Sequence, residues 1–165
     1  MTRKTKDGIV VYNPEDFEKM RRAGKLAAEV LDYITDYVDV GVTTGELDDL
    51  CRKYIESHGA VPACLGYHGY PKSTCISINH VICHGIPDDR KLADGDILNI
   101  DVTVILDGWF GDTSRMYYAG KPKLKATRLC DVTYECMMRG IEVVRPGAHF
   151  GDIGAVIEEY AHKYG

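Results

Sequence analysis

Long apolar runs are missing from this sequence. No segment approaches the roughly 20 residues that span a bilayer, so no membrane partner is expected. The opening, Met1 to Asp7, is polar and charged and lacks the apolar centre of an export signal. The expected location is therefore the cytoplasm. Basic clusters are also missing: 20 Lys and Arg stand against 25 Asp and Glu, for a net charge of −5. A nucleic-acid backbone binder usually needs a basic face, so no specific nucleic-acid sequence is expected as a partner. The six cysteines include no Cys-x-x-Cys pair, and a reducing compartment leaves them as thiols. Cys51 and Cys136 fall among apolar helix positions and read as small buried hydrophobes. What remains is an ordinary globular mixture, 45% hydrophobic and 27% charged. It is neither a disordered tail, a coiled coil nor a collagen-like chain. The 165 residues correspond to about one domain, large enough to fold around a core without disulfide or metal staples. A single domain over residues 1–165 is expected.

Asn13-Pro14-Glu15-Asp16 is a helix start, with a capping side chain, proline at the first helical position and acids in the first turn. Phe17, Met20, Ala27, Val30, Leu31, Ile34 and Val38 then recur at helical spacing and predict a helix over about 14–39. Thr43 with Glu46 forms a capping box for a second helix, striped by Leu47, Leu50, Cys51, Tyr54 and Ile55 and closed by Gly59. The period then changes. Residues 73–79 and 96–106 read as strands, with Leu98, Ile100, Val102, Val104 and Leu106 on one face and Asn99, Asp101 and Thr103 on the other. Asp107-Gly108 signals a hairpin whose returning strand is 109–118. Helical period resumes after Pro122, breaks at Arg145-Pro146-Gly147, and ends in a stripe of Ile153, Val156, Ile157, Tyr160 and Ala161.

Two stretches match at one constant offset. Gly41, Gly45, Leu47, Leu50, Tyr54 and Gly59 correspond to Gly147, Gly151, Ile153, Val156, Tyr160 and Gly165. The helices before them correspond as well. Chance likeness of two amphipathic helices is the plainer alternative, but the matching glycines at start, first turn and cap favour an internal repeat. The first copy runs helix, helix, strand, strand and hairpin; the second has its two helices only.

A two-residue loop at Asp107-Gly108 sets Leu106 opposite Trp109 and Thr103 opposite Asp112. Asp101 then shares a face with Asp112, their β-carbons roughly 5.5–8 Å apart as diagonal neighbours. Phe110 and Met116 lie on that face and are expected to give it partial cover. Two close carboxylates in a covered site repel unless a cation lies between them, and hard oxygen ligands suit Mn, Co, Fe or Zn. A solvated face with scattered acids is the plainer alternative. His84, between a strand end and Gly85-Ile86-Pro87, is placed to reach a cleft or to make one surface hydrogen bond. The stretch Cys64-Leu65-Gly66-Tyr67-His68-Gly69-Tyr70-Pro71 offers either a polarizable surface suited to a thioether or a loop that covers the core.

Together these residues resemble type I methionine aminopeptidase. The resemblance rests on Pro62-Ala63-Cys64-Leu65, Tyr67-His68-Gly69-Tyr70-Pro71-Lys72-Ser73, Cys75-Ile76-Ser77-Ile78-Asn79, Cys83-His84-Gly85-Ile86-Pro87 and Asp94-Gly95-Asp96-Ile97. Asn99-Ile100-Asp101-Val102-Thr103 and Gly111-Asp112-Thr113-Ser114 extend it, so that it covers nearly the whole chain. It implies an α+β pita-bread fold, the creatinase/aminopeptidase type, with the first pseudo-symmetric half, the helices of the second, and an incomplete sheet. It also implies removal of the N-terminal methionine of nascent polypeptides by water activated at two divalent ions, drawn from Co, Mn, Fe, Zn or Ni. By the matching motifs, Asp101 and Asp112 become metal ligands, with Asp112 bridging. His84 becomes the catalytic group that contacts substrate near the scissile amide. Cys64, Tyr67, Tyr70 and Cys75 become the methionine pocket, and the main-chain oxygens of Asn79 and Val81 part of a monovalent-cation site. The ribosome is an implied partner.

His80 and Phe110 depart from common family choices at positions that are not ligands. In the family, the stretch beyond a position like Gly165 carries a Gly-His-Gly-Ile-Gly strand, two Glu ligands and a second His. This sequence therefore holds two of five expected ligands. The implied expectation is a truncated catalytic domain, inactive alone and prone to associate, where the complete enzyme would be a monomer. A non-catalytic peptide-binding module of the same fold is the alternative. A zinc module from Cys64, His68, Cys75, His80 and Cys83 has no compact zinc spacing behind it.

Overall fold

A computed structural model describes residues 3–165. A short antiparallel pair, β1 (Arg3–Lys4) and β2 (Val10–Val11), precedes the first helix. Helix α1 (Pro14–Ile34) starts where the cap residues require. The Asn13 side chain accepts from the amides of Glu15 and Asp16 at 2.9 and 3.1 Å, and the Asp16 carboxylate accepts from the Asn13 amide at 3.0 Å. The helix tightens into a 3₁₀ turn over Thr35–Tyr37, short of the predicted end at 39. There the Thr35 hydroxyl donates back to the Leu31 carbonyl, a local bond that competes with continued α-helix. Helix α2 (Thr44–Ser57) follows, capped by Thr43 and Glu46 as expected.

The sheet is built around one long strand. Strand β5 (Ile97–Leu106) pairs along its whole length with β6 (Trp109–Tyr118). Its other edge carries β4 (Cys75–Ile78) against residues 98–101 and β3 (Val61–Pro62) against 104–105, placed end to end. The predicted hairpin register holds, with Leu106 opposite Trp109 and Thr103 opposite Asp112. Leu98, Ile100, Val102 and Val104 are fully buried against Leu26, Val30, Ile34, Leu47, Cys51 and Ile55 of the two helices. Alternate side chains of β5 therefore enter the core while Asn99, Asp101 and Thr103 leave it. Gly111 makes this layering work: a β-carbon there would collide with the Ala23 carbonyl of α1, so only glycine lets the helix lie this close to β6.

The chain divides into two compact units, one ending at Lys121 and one running from Pro122 to Gly165. The second holds α3 (Leu124–Glu142) and α4 (Phe150–His162). Gly140 brings these together, since a β-carbon there would lie 3.2 Å from Ile153 and 3.3 Å from Ile157. Cys51 and Cys136 are buried as expected. Leu129 and Ile141 of α3 are 61% and 57% exposed, and the second unit has no strand of its own among the described residues.

The internal repeat is visible in backbone detail. Gly41 and Gly147 both take positive φ, 92° and 89°, just before their helices. The Thr43 amide donates to the Glu46 carboxylate at 2.8 Å, and the His149 amide donates to the Asp152 carboxylate at 2.8 Å. Gly59 and Gly165 both take positive φ after the helices end. The match fails at one place. Gly45 packs against the Asp88 carbonyl, whereas Gly151 has no described neighbour at that range.

Candidate active site

The β5–β6 hairpin places Asp101 and Asp112 on one face. Asp101 pairs with Ser114 on one side and Cys75 on the other, and Asp112 pairs with Thr103, one step along. Asp101 is half-buried and Asp112 exposed. Burial pushes the Asp101 carboxyl above its ordinary range, the charge of Asp112 pushes it further, and His84 pulls it back. The three groups thus share one electrostatic neighbourhood. Cover from the aromatic side is thin: Phe110 is 56% exposed and Met116 half-buried.

His84 is held in the left-handed region, with φ 56°. The next residue anchors it. Gly85 accepts from the Ile76 amide at 2.9 Å and donates to the Ser77 hydroxyl at 3.1 Å. A β-carbon on Gly85 would collide with the Ile76 carbonyl, so glycine is what allows this loop to lie along the free edge of β4.

Cys64 and Cys75 meet where β3 and β4 end on the same edge of β5. Burial pushes the Cys64 thiol up to about 11, with Cys75 and Asp101 adding to the effect. The Tyr70 hydroxyl lies 2.9 Å from the Thr74 carbonyl and 3.1 Å from the Gly85 carbonyl, which share its one proton, and burial raises its pKa. Tyr67 stands apart: it is 68% exposed, its ring edge-on to His68. Asn79, with φ 52°, ends β4 in a fixed turn. Its side chain donates to Asp96 at 2.7 Å and accepts from the Ile97 amide at 3.1 Å. The Val81 amide donates to the Ile78 carbonyl. Cys83 and His80 are exposed, and among the described residues no three His, Cys, Asp or Glu side chains group as a metal site.

Two buried acids escaped the sequence reading, Asp48 and Asp96. Asp48 sits within the stripe of Leu47, Cys51 and Ile55, and a carboxylate on the apolar arc of a helix was the signal that could have revealed it. Asp96 follows Asp94-Gly95 in a loop, where nothing in the pattern separates a buried acid from an exposed one.

A sequence model of metallopeptidase family M24 matches residues 18–165. The chain belongs to this family. Methionine aminopeptidase of Rickettsia prowazekii (strain Madrid E) is 64% identical over 156 residues, covering 94% of this chain and 60% of that protein. The crystal structure of methionine aminopeptidase from Rickettsia prowazekii superposes with a TM-score of 0.92 at 60% identity, over 99% of this chain and 63% of that one. A Xaa-Pro dipeptidase from Bacillus anthracis, 16% identical, shares the fold alone, with a TM-score of 0.83 over 94% of this chain and 42% of its own. The fold of this M24 chain is the pita-bread fold over the stretch it covers. The chain spans about 60% of the length of the curated relatives it matches.

A divalent ion is the group such a metallopeptidase implies. Asp101 and Asp112 suit one in chemistry, being hard oxygen donors on one face whose mutual repulsion a cation would relieve. In number, two carboxylates would supply only part of a coordination shell.

Proposed function

We propose that this chain carries the first metal-ligand pair, the substrate-contacting histidine and the methionine pocket of a methionine aminopeptidase. The observation behind this is that Asp101 and Asp112 share one face of the β5–β6 hairpin, with His84 close enough to act on the Asp101 charge. Asp101 and Asp112 would be the ligands that hold divalent metal, Co or Mn being the ions to try first. Bound there, the metal supplies a water activated for attack on the first peptide bond. His84 donates a hydrogen bond near the scissile amide. Cys64, Tyr70 and Cys75, with Tyr67 at the open rim, select an unbranched thioether side chain from the N-terminus of a nascent polypeptide. The main-chain oxygens of Asn79 and Val81 hold a monovalent cation at the turn that Asp96 braces. The setting is cytoplasmic, with the ribosome as source of substrate. With two carboxylates as ligands, the 165-residue chain by itself binds metal weakly and turns over negligibly.

Calorimetric titration of Mn or Co tests the ligand pair. Asp112→Asn is expected to weaken binding at least several-fold. Asp107→Asn, in the turn, is expected to leave it nearly unchanged, because Asp107 is exposed and forms an ion pair with Arg22. Equal effects would remove the proposal. A non-catalytic peptide-binding module has no observation in its favour that the metallopeptidase reading lacks.

A further inference from the structure

Helix α2 turns a carboxylate inward. Asp48 is 2% exposed, and its Oδ1 accepts three bonds: from the Ser73 amide at 3.0 Å, the Thr74 amide at 2.8 Å and the Thr74 hydroxyl at 2.8 Å. A buried carboxylate is costly unless its bonds are met, and an apolar residue would otherwise suit this stripe. The carboxylate therefore has a task, and its partners say what it is. Ser73 and Thr74 lead directly into Cys75, the first residue of β4. The Thr74 carbonyl accepts from the Tyr70 hydroxyl, which reaches the Gly85 carbonyl as well. Gly85 in turn follows His84, whose left-handed backbone persists only where its surroundings over-determine it. The path from α2 to His84 is unbroken: Asp48, Thr74, the Tyr70 hydroxyl, Gly85, His84.

We infer that Asp48 is a positioning residue, which through Thr74 and the Tyr70 hydroxyl fixes both the Tyr70–Cys75 wall and the backbone of His84. The inference rests on the roles given above to His84 and that wall. It also divides Tyr70 in two: the ring lines the pocket, while the hydroxyl is committed to main-chain carbonyls and ties two loops together. A carboxylate that merely capped a buried turn would have effects ending at residues 73–74.

The test uses the metal-free 165-residue chain with isotope-labelled histidine side chains, observed by NMR. Asp48→Ala and Tyr70→Phe are expected to shift the His84 imidazole cross-peak or broaden it beyond detection. The cross-peak of His58, whose Nδ1 lies 2.8 Å from the Tyr54 carbonyl at the far end of α2, stays in place and reports that the unit is folded. Asp48→Asn keeps the accepting oxygen and restores the His84 signal. Where Asp48→Ala loses the His58 signal through unfolding, Thr74→Val, which removes one of the three bonds, takes its place with a smaller shift expected. An unmoved His84 signal in the folded Asp48 or Thr74 variant overturns the inference. Movement there without movement in Tyr70→Phe overturns the path through the hydroxyl. None of these readouts needs metal or turnover, so failure of the metal-binding reading would leave them intact.

Discussion

Asp96 uses its two oxygens for different donors. Oδ1 accepts from the Asn79 side chain at 2.7 Å and Oδ2 from the Ala93 amide at 3.0 Å, with Arg90 beside it. Burial alone would raise its pKa, but these bonds and the Arg90 charge outweigh burial and hold the carboxyl below its ordinary range. A carboxyl depressed in the folded state adds stability above its unfolded pKa of about 4 and loses it as pH falls through the folded value. Asp96→Asn leaves one oxygen for two donors. It is expected to cost about 1.5–3 kcal/mol at pH 7, seen as a lower midpoint in urea unfolding. The gap between variant and parent should narrow as the pH falls below about 4. A gap independent of pH would mean that the hydrogen bonds matter and the charge does not. At this scale the sequence was partly legible. Asp101, Asp112 and His84 stood out because hairpin register and a familiar motif marked them, whereas Asp48 bore no such mark and Asp96, though within the motif Asp94-Gly95-Asp96-Ile97, showed no sign of its burial. Burial of a carboxylate depends on which loop folds over it, and no local pattern encodes that.

The elements follow their local chemistry closely. Caps at Asn13 and Thr43 start α1 and α2, and the Asp107-Gly108 turn, with both residues at positive φ, sets the hairpin. That turn decides which acids share a face, since a slip of one residue would send Asp112 to the core side. The contact of α1 with β6 depends on Gly111, whose neighbour is a backbone carbonyl that cannot rotate away. Gly111→Ala is therefore expected to destabilise the unit at the upper end of the 1–3 kcal/mol typical of overpacking, or beyond it. Gly108→Ala places a methyl in open space and pays only for its positive φ, so it should cost less. Comparison of the two by thermal unfolding checks this ordering, and a larger loss from Gly108→Ala would contradict the packing argument.

Each of the two units contains a helix pair, and in the first the pair packs on a sheet of the same unit. The first unit buries Leu98, Ile100, Val102 and Val104 against α1 and α2. In the second, an apolar groove between α3 and α4 is lined by Cys136, Met137, Gly140, Ile141, Ile153 and Ile157, and Leu129 and Ile141 stand in solvent. Exposed apolar faces of this kind favour association. Sedimentation of the 165-residue chain is expected to show concentration-dependent oligomers, reduced by Ile141→Lys. A monodisperse monomer across the accessible concentrations would refute this. Sequence by itself determined the helix caps, the hairpin register, the pairing of Asp101 with Asp112 and the internal repeat, because each depends on residues near in the chain or on a fixed backbone period. The tertiary structure decided the rest. It showed that Asp48 is buried beneath the loop that carries Thr74, that Tyr70 ties that loop to Gly85, and that Gly45 has a backbone neighbour where Gly151 has none. These facts depend on segments far apart in sequence coming within a few ångströms, and only packing sets that.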